Sequence, residues 1–435
     1  MTTQPTLPPA TAAGGSRSGA RHAHDPTIVR AADGTYVMFS TDALAGGRPD
    51  PGVHVRTSTD LVTWTWAGTA LGRVPEEAAA WTAAEGLWAP EVVRWPSGDG
   101  APTFHMYYSA STFGSNTSAI GLAVADDLLG PWDVRDLVVR TRAGEQTQNA
   151  IDAAVTWDRD GDPWLTYGSF FSGIYTLRLD RESGLPATPG DLGTCITRRP
   201  RSVEAAVEGA FIVRRPGAAP GESRFVLFAS YDSLFSTYNV RVAVADTITG
   251  PYRDRDGNAM TDVDLAPDSV GTRVLVGHQT TGGEAWIAPG HCSVLHVDGA
   301  DLMVHHVRYA SDPREHVAQL RRIVWTRSGW PAVAPQPYAG EGVVVPLSDA
   351  LGPDPRLAGT WDVLDLRDPP RDAGTGPITG TRLVDVPDGD LRATGLDDGV
   401  VFAARDRVTG CETLSFAGYT AAGTAVSGTL RPASD

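Results

Sequence analysis

Four acidic residues and one histidine stand at the start of five short apolar segments. These residues, the strongest candidates for chemistry in the sequence, are Asp25, Glu91, Asp152, Glu208 and His291. Each precedes an apolar strand, a turn and a second apolar strand, so the five segments form a repeat. Carboxyl groups held in opposite protonation states can act as a general acid and a general base.

The repeat indicates small sheets arranged around a central channel, because one such sheet cannot bury both of its faces alone. A second duplication supports the repeated unit: AVADDLLGPWDVRD begins at Ala123 and AVADTITGPYRDRD begins at Ala243. If the first strand of each sheet lines the channel, the five leading residues meet at one mouth. Bringing like charges together costs free energy, so we interpret the cluster as a functional site.

The rest of the sequence is typical of an all-β chain, since short runs of β-branched and aromatic residues alternate with Gly, Asp and Pro turns. We predict a disordered segment over residues 1–21 and a five-bladed β-propeller over 22–340. Residues 352–435 are rich in Thr, Gly and Asp and predict a separate small β-barrel or β-sandwich domain.

Charge and cysteine content narrow the possible partners and location. The 435 residues carry a formal net charge of −16, which repels phosphate backbones and anionic lipids, so we expect no nucleic-acid or membrane partner. Cys195, Cys292 and Cys411 are far apart and predict neither a disulfide framework nor a zinc site. The N-terminal residues lack the basic and apolar regions of a signal peptide. We therefore predict a cytoplasmic monomer, or a secreted protein whose leader has been removed.

Eight motifs, taken in order, resemble the arabinanases of glycoside hydrolase family 43. They are HDPTIV, LWAPEV, NTSAIGLAV, NAIDAAV, YGSFFSGI, VEGAFIV, APGHCSVL and GWPAVAP, and they extend from His24 to Pro335. The tail resembles, less specifically, the C-terminal β-domain of some endo-arabinanases. The resemblance implies a five-bladed propeller that hydrolyses α-1,5-L-arabinofuranosyl linkages in arabinan or arabino-oligosaccharides with inversion of configuration.

The resemblance also implies a role for each of the three acidic residues. Asp25 matches the general base, Glu208 the general acid, and Asp152 the aspartate that orients the acid and raises its pKa. Inverting enzymes hold the acid and the base about 6.5–9.5 Å apart, which leaves room for a water. Relatives usually have proline where Ala210 stands, so substrate details could differ. Glu204 is the rival acid, although Glu208 holds the repeat position.

The resemblance further places His291 at a channel histidine that binds a metal, often calcium, largely through waters. Histidine is an unusual calcium ligand, so the alternative is a histidine that hydrogen-bonds to the acidic cluster without a metal. Glu91 has two open interpretations as well: it could contact substrate, or it could satisfy backbone donors in the channel.

Five more residues are predicted to bind the sugar. Aromatic rings stack on the apolar faces of sugars, which makes Trp88, Phe113 and Phe170 candidates in loops at the mouth. Asn149 and Ser169 match positions that contact the sugar in relatives. A turn-forming role is the alternative for Asn149.

Two other functions remain open from the sequence. The first keeps the mechanism and changes the substrate, giving an exo-acting α-L-arabinofuranosidase or a β-xylosidase. The second is a non-catalytic carbohydrate-binding propeller. The presence of all three acidic residues disfavours that second function, because a binding protein does not need a buried acid.

Overall fold

The structure, a computed structural model, describes residues 19–44, 49–96, 103–216, 223–341, 352–366, 378–405 and 410–431. Strands dominate this part of the chain, which confirms the predicted all-β class. Its helices are α1 (Glu76–Thr82) and four 3-10 turns, Arg201–Val203, Pro267–Ser269, Pro355–Leu357 and Leu391–Thr394. No helix among the described residues is long and apolar enough to cross a membrane.

The first four sheets each contain four antiparallel strands in chain order. Sheet I comprises β1 (His24–Arg30), β2 (Tyr36–Thr41), β3 (His54–Ser58) and β4 (Thr65–Thr69). Sheet II comprises β5 (Trp88–Trp95), β6 (Thr103–Ala110), β7 (Ser118–Ala125) and β8 (Asp133–Thr141). Sheet III comprises β9 (Ala154–Trp157), β10 (Pro163–Tyr167), β11 (Ile174–Arg178) and β12 (Thr194–Thr197). Sheet IV comprises β13 (Val207–Pro216), β14 (Ser223–Tyr231), β15 (Asn239–Ala245) and β16 (Thr272–Leu275).

Two further sheets follow. Sheet V has the order β21-β20-β19-β18-β17-β23. Its strands are β17 (His278–Gln279), β18 (Ala285–Val297), β19 (Ala300–Tyr309), β20 (His316–Trp325), β21 (Pro331–Val333) and β23 (Thr379–Gly380). The tail sheet has the order β24-β22-β27-β26-β25. It contains β22 (Gly359–Asp365), β24 (Arg382–Val386), β25 (Asp398–Arg405), β26 (Glu412–Tyr419) and β27 (Ala425–Leu430).

Sheets I to V stack face to face in a closed cycle. A separate hydrophobic cluster fills the space between sheets I and II, II and III, III and IV, IV and V, and V and I. Middle strands are therefore buried on both faces, and all six residues of β2 are buried, whereas β8 at the rim begins with four exposed residues. The first strands β1, β5, β9, β13 and β18 contact one another in the same cyclic order.

The N-terminal residues complete sheet V. Arg21 forms a β-bridge with Val317 on β20, and the N–H of His22 donates to the carbonyl of His316 at 2.9 Å. Ala20 is buried in the cluster between sheets V and I. Residues 1–18 of the predicted disordered segment 1–21 lie outside the described residues, whereas residues 19–21 belong to the fold.

The tail sheet packs against sheet V. One hydrophobic cluster lies within the tail around Trp361 and Phe416, and a second is shared between tail residues such as Tyr419 and sheet V residues such as Val324. No pairing joins β24 to β25 among the described residues, so these strands form an open sheet. A barrel or sandwich over 352–435 stays a prediction.

Candidate active site

The site lies where the first strand of each sheet begins. At this point one residue adopts a left-handed conformation in every sheet, and the strand pairing contains a bulge in sheets I, II, IV and V. These residues are Asp25 (φ 53°), Ala89 (φ 36°), Asp152 (φ 63°), Gly209 (φ 55°) and His291 (φ 48°). Non-glycine residues with positive φ are strained and tend to occur at functional sites.

A repeated hydrogen bond holds four of these left-handed residues in place. The N–H of the left-handed residue donates to a side chain on the second strand of the preceding sheet. The four bonds run from Ala89 to Thr41, from Asp152 to Ser109, from His291 to Ser230 and from Asp25 to His306.

Sheet IV departs from this pattern. The equivalent position before it is Gly168, which has no side chain to accept the bond, and the N–H of Gly209 donates to Oδ2 of Asp152 instead, at 3.2 Å. The carboxylate of Asp152 therefore takes the structural role that a hydroxyl group or an imidazole has in the other sheets.

The left-handed residues show which positions of the five segments are equivalent, and this alignment differs from the predicted one. Asp25, Asp152 and His291 are equivalent, as predicted, but the residues matching them in sheets II and IV are Ala89 and Gly209. The predicted equivalence of Glu91 and Glu208 with Asp25 is therefore wrong. The cause is that a bulge adds a residue that the apolar pattern of a strand does not reveal.

Asp25 lies among three imidazoles. Its Oδ1 is 2.8 Å from Nδ1 of His24, 3.1 Å from Nδ1 of His291 and 3.5 Å from Nδ1 of His306. Burial opposes ionisation of Asp25, but His24 and His291 outweigh it and hold its pKa well below the usual value. Asp25 is therefore an ionised carboxylate at neutral pH.

Asp152 and Glu208 show the opposite behaviour. Both are buried, and burial raises the pKa of each. Repulsion between the two carboxyl groups adds to the effect, so the pair retains a proton near neutral pH. The structure thus places one ionised carboxyl group and one proton-holding pair at the same mouth.

Glu208 is held by two hydroxyl groups. Ser169 donates to Oε2 at 2.6 Å and Tyr238 donates to Oε1 at 2.9 Å. Glu204, the rival acid, lies outside this cluster: it is exposed and caps the 3-10 turn Arg201–Val203. The sequence-based preference for Glu208 over Glu204 agrees with this placement.

The predicted sugar-binding residues fall into two groups. Ser169 and Asn149 are buried, and Asn149 binds the carbonyl of Ser169 at 3.3 Å and accepts from Ser118 at 2.7 Å. Asn149 therefore orders the loop that carries Ser169, which fits its turn-forming alternative. Phe113 is 80% exposed, whereas Trp88 and Phe170 are half-buried.

Four contributors to the site were missed from the sequence. His24, Thr41, His306 and Tyr238 contact the acidic residues directly. Only His24 carried a local signal, because it adjoins Asp25 in the HDP motif. The others lie on second strands or in a loop and reach the mouth through the fold.

Glu91 lies on β5, two residues after Ala89, and its buried carboxyl group is hydrogen-bonded to both neighbouring sheets. Thr27 on β1 donates to its Oε2 at 2.8 Å, and it also accepts a backbone hydrogen bond from Val155 on β9. Burial raises its pKa to about 8. These contacts favour the interpretation of Glu91 as a carboxyl group that satisfies channel donors.

The residues near His291 do not suit direct calcium ligation. Nδ1 of His291 faces Asp25, and His24, Asp25 and His306 form a group that could hold a metal. That set offers two imidazoles and one carboxylate, whereas calcium takes six to eight oxygen ligands. Calcium near His291 stays a prediction.

The chain is similar to a known family of enzymes. The sequence pattern of glycosyl hydrolases family 43 matches residues 19–331, which contain sheets I to IV and β17 to β20 of sheet V. The chain belongs to that family. It is therefore a glycoside hydrolase, as the resemblance implied.

Relatives of this family 43 member include an extracellular endo-α-(1→5)-L-arabinanase of Thermotoga petrophila, 29% identical over 74% of this chain and 72% of the relative. Another is the extracellular exo-α-(1→5)-L-arabinofuranosidase ArbA of Cellvibrio japonicus, 31% identical over 71% of this chain and 86% of the relative. The solved structure of a family 43 protein from Bacillus licheniformis superposes with a TM-score of 0.77 and 25% identity, covering 96% of this chain and 99% of that protein.

These names correct the predicted location. Both relatives are named extracellular, which contradicts the prediction of a cytoplasmic protein.

Glu91→Gln should stabilise this family 43 chain at alkaline pH. The folded pKa of about 8 exceeds the ordinary 4.5, so the stability contributed by protonated Glu91 is complete below pH 4.5 and is lost as pH rises through 8. Glutamine cannot ionise, so the variant should gain a few kcal/mol over wild type between pH 5 and pH 9, at about 1.4 kcal/mol for each pH unit up to the folded pKa. Thermal unfolding at several pH values measures this, with exposed Glu204→Gln as the control. Parallel stability curves for Glu91→Gln and wild type would contradict it.

Proposed function

We propose that this chain hydrolyses α-1,5-L-arabinofuranosyl linkages in arabinan or arabino-oligosaccharides and inverts the anomeric centre. Sheets I to V would be the five blades of a propeller over residues 22–340, with residues 352–435 as a C-terminal β-domain. Asp25 is the general base, Glu208 is the general acid, and Asp152 sets the charge state and orientation of Glu208.

The observation that carries the proposal is the contrast between two buried carboxyl groups at one mouth. The pKa of Asp25 is held low by His24 and His291, whereas burial raises the pKa of Glu208. Inverting glycosidases require these two states together, because one carboxyl group must accept a proton while the other donates one.

The reaction then follows from the two protonation states. Ionised Asp25 removes a proton from a water, whose oxygen attacks the anomeric carbon. Glu208 gives its proton to the departing glycosidic oxygen on the opposite face of the sugar. Attack opposite the leaving group inverts the configuration in a single displacement. Asp152, whose carboxyl group accepts the N–H of Gly209, repels a second negative charge at Glu208 and so keeps Glu208 protonated until that moment.

Exo action on arabino-oligosaccharides is a second candidate, favoured by the 31% identical relative that is named an exo-arabinofuranosidase. A β-xylosidase would use the same carboxyl groups. A non-catalytic carbohydrate-binding propeller is the weaker alternative, since burying three interacting carboxyl groups costs stability that binding alone does not require.

A product time course on linear arabinan and on arabino-oligosaccharides should show arabinose-containing products, since the proposed site cleaves furanosyl linkages. Early mixed oligomers indicate endo action, and monomer or one short product from the first minutes indicates exo action. Proton NMR of the first product should show an inverted anomer. Release of xylose from xylo-oligosaccharides with no cleavage of arabinan would overturn the proposed substrate, and a retained anomer would overturn the mechanism.

Asp25→Ala and Glu208→Ala should each lower kcat by at least ~10²-fold while the fold is kept, because each loses one proton-transfer group. Steady-state kinetics with a circular-dichroism check of folding measures the effect. Glu204→Ala is the matched control, since Glu204 is exposed and four residues from Glu208. Near wild-type turnover in a folded Asp25 or Glu208 variant would refute the assignment.

Asp152→Asn should move the alkaline limb of the kcat/KM profile to lower pH. The variant removes the carboxyl group that repels Glu208, so the Glu208 pKa falls and the acid ionises earlier. The rate on an activated aryl arabinofuranoside should fall less than the rate on arabinan, because a good leaving group needs little protonation. Equal losses with an unmoved limb would mean that Asp152 acts in another way.

A further inference from the structure

Tyr238 has an unusual position for a buried tyrosine. It is the last residue of the connection between β14 and β15, is 1% exposed, and directs its hydroxyl group at Oε1 of Glu208 over 2.9 Å. The other oxygen of that carboxyl group accepts from Ser169. Neither the acidic repeat nor the family motifs pointed to Tyr238.

Sheet V is shaped to admit the ring of Tyr238. A Cβ atom on Gly290 would lie 2.1 Å from Cδ1 of Tyr238, so glycine is required at that position for the ring to occupy its place. The ring also packs with Ile287 and Ala288 of β18. Substitution of Gly290 by any other residue would displace Tyr238 from Glu208.

The ring connects the two sides of the site. The rings of Tyr238 and His306 stack with their centroids 5.8 Å apart. Nδ1 of His306 in turn accepts a hydrogen bond from the N–H of Asp25. Arg308 fixes the preceding loop by donating to the carbonyl of Leu234 at 2.9 Å. Tyr238 is therefore held by the loop and by sheet V, with its hydroxyl group directed at Glu208.

We infer that Tyr238 is a positioning residue for the proton donor: with Ser169 it fixes the plane of the Glu208 carboxyl group. This inference rests on the proposed role of Glu208 as general acid. A carboxylate has about four lone-pair sites; the two hydroxyl groups occupy one on each oxygen, and the proton takes one of the two that remain. The proton then leaves from a defined direction, which general acid catalysis requires.

The chemistry of the Tyr238 hydroxyl group fits this role. Burial and then the charge of Glu208 raise the pKa of Tyr238 well above its usual value, so Tyr238 stays a neutral donor. Its hydrogen bond lowers the pKa of Glu208, partly offsetting burial. It therefore stabilises the carboxylate that forms when Glu208 releases its proton.

Tyr238→Phe tests the inference, since it removes the hydroxyl group and leaves the ring. We expect kcat on arabino-oligosaccharides to fall about tenfold or more with little change in KM. The alkaline limb should move to higher pH, because the Glu208 carboxylate loses a donor. Asp152→Asn moves the limb the other way, so the two roles are distinguishable.

The matched control is Tyr252→Phe. Tyr252 is also buried at 1% exposure, and its hydroxyl group donates to the carbonyl of Ile248 at 3.0 Å, away from Glu208. It should leave kcat and the pH profile unchanged. Wild-type kcat with an unmoved limb in Tyr238→Phe would overturn the inference, as would equal effects in both variants.

A measurement without substrate separates this inference from the proposed function. If the hydroxyl group bonds Glu208, Tyr238→Phe should destabilise wild type more than it destabilises Glu208→Ala, as judged by thermal unfolding. Equal losses in both backgrounds would overturn the inference. Absence of arabinan cleavage by wild type would instead overturn the proposed substrate and leave this comparison intact.

Discussion

The contact between Asp25 and its three imidazoles is the interaction on which the site depends. Three carboxyl groups share one buried mouth, and without compensation all three would hold protons. His24 and His291 keep Asp25 ionised against its burial. The negative charge of Asp25 then raises the pKa values of Asp152 and Glu208 further, so both tend to stay protonated. One group of histidines therefore sets the charge of the whole cluster.

The backbone around this cluster is built for close approach. Three glycines lack a side chain at positions where the site needs room or a different hydrogen-bond partner. Gly168 has no side chain to accept the N–H of Gly209, which therefore donates to Asp152. Gly209 lies against His291, and Gly290 leaves space for the ring of Tyr238. The left-handed backbone at Asp25, Asp152 and His291 turns three side chains toward one mouth. The strain is compensated by the hydrogen bonds from those residues to neighbouring sheets.

Most of the architecture was predictable because it follows from repetition. The recurrence of two apolar strands after Asp25, Glu91, Asp152, Glu208 and His291 predicted five sheets, and sheets I to V follow one another in that order among the described residues. The same pattern could not fix register, since a bulge changes which residue faces the mouth without changing the apolar alternation. It also could not reveal Tyr238 or His306, whose place at the site depends on contacts between different sheets.

The pairing of residues 20–22 with β20 also constrains how the chain can be assembled during synthesis. Arg21 bonds to Glu315, 294 residues later in the chain. Residues 20–22 therefore leave the ribosome long before β20 is made, and they cannot pair with it until then. Contacts of such long sequence separation form slowly. Early sheets meanwhile present uncovered apolar faces, so the period before closure is when this protein is most exposed to aggregation and most dependent on chaperones.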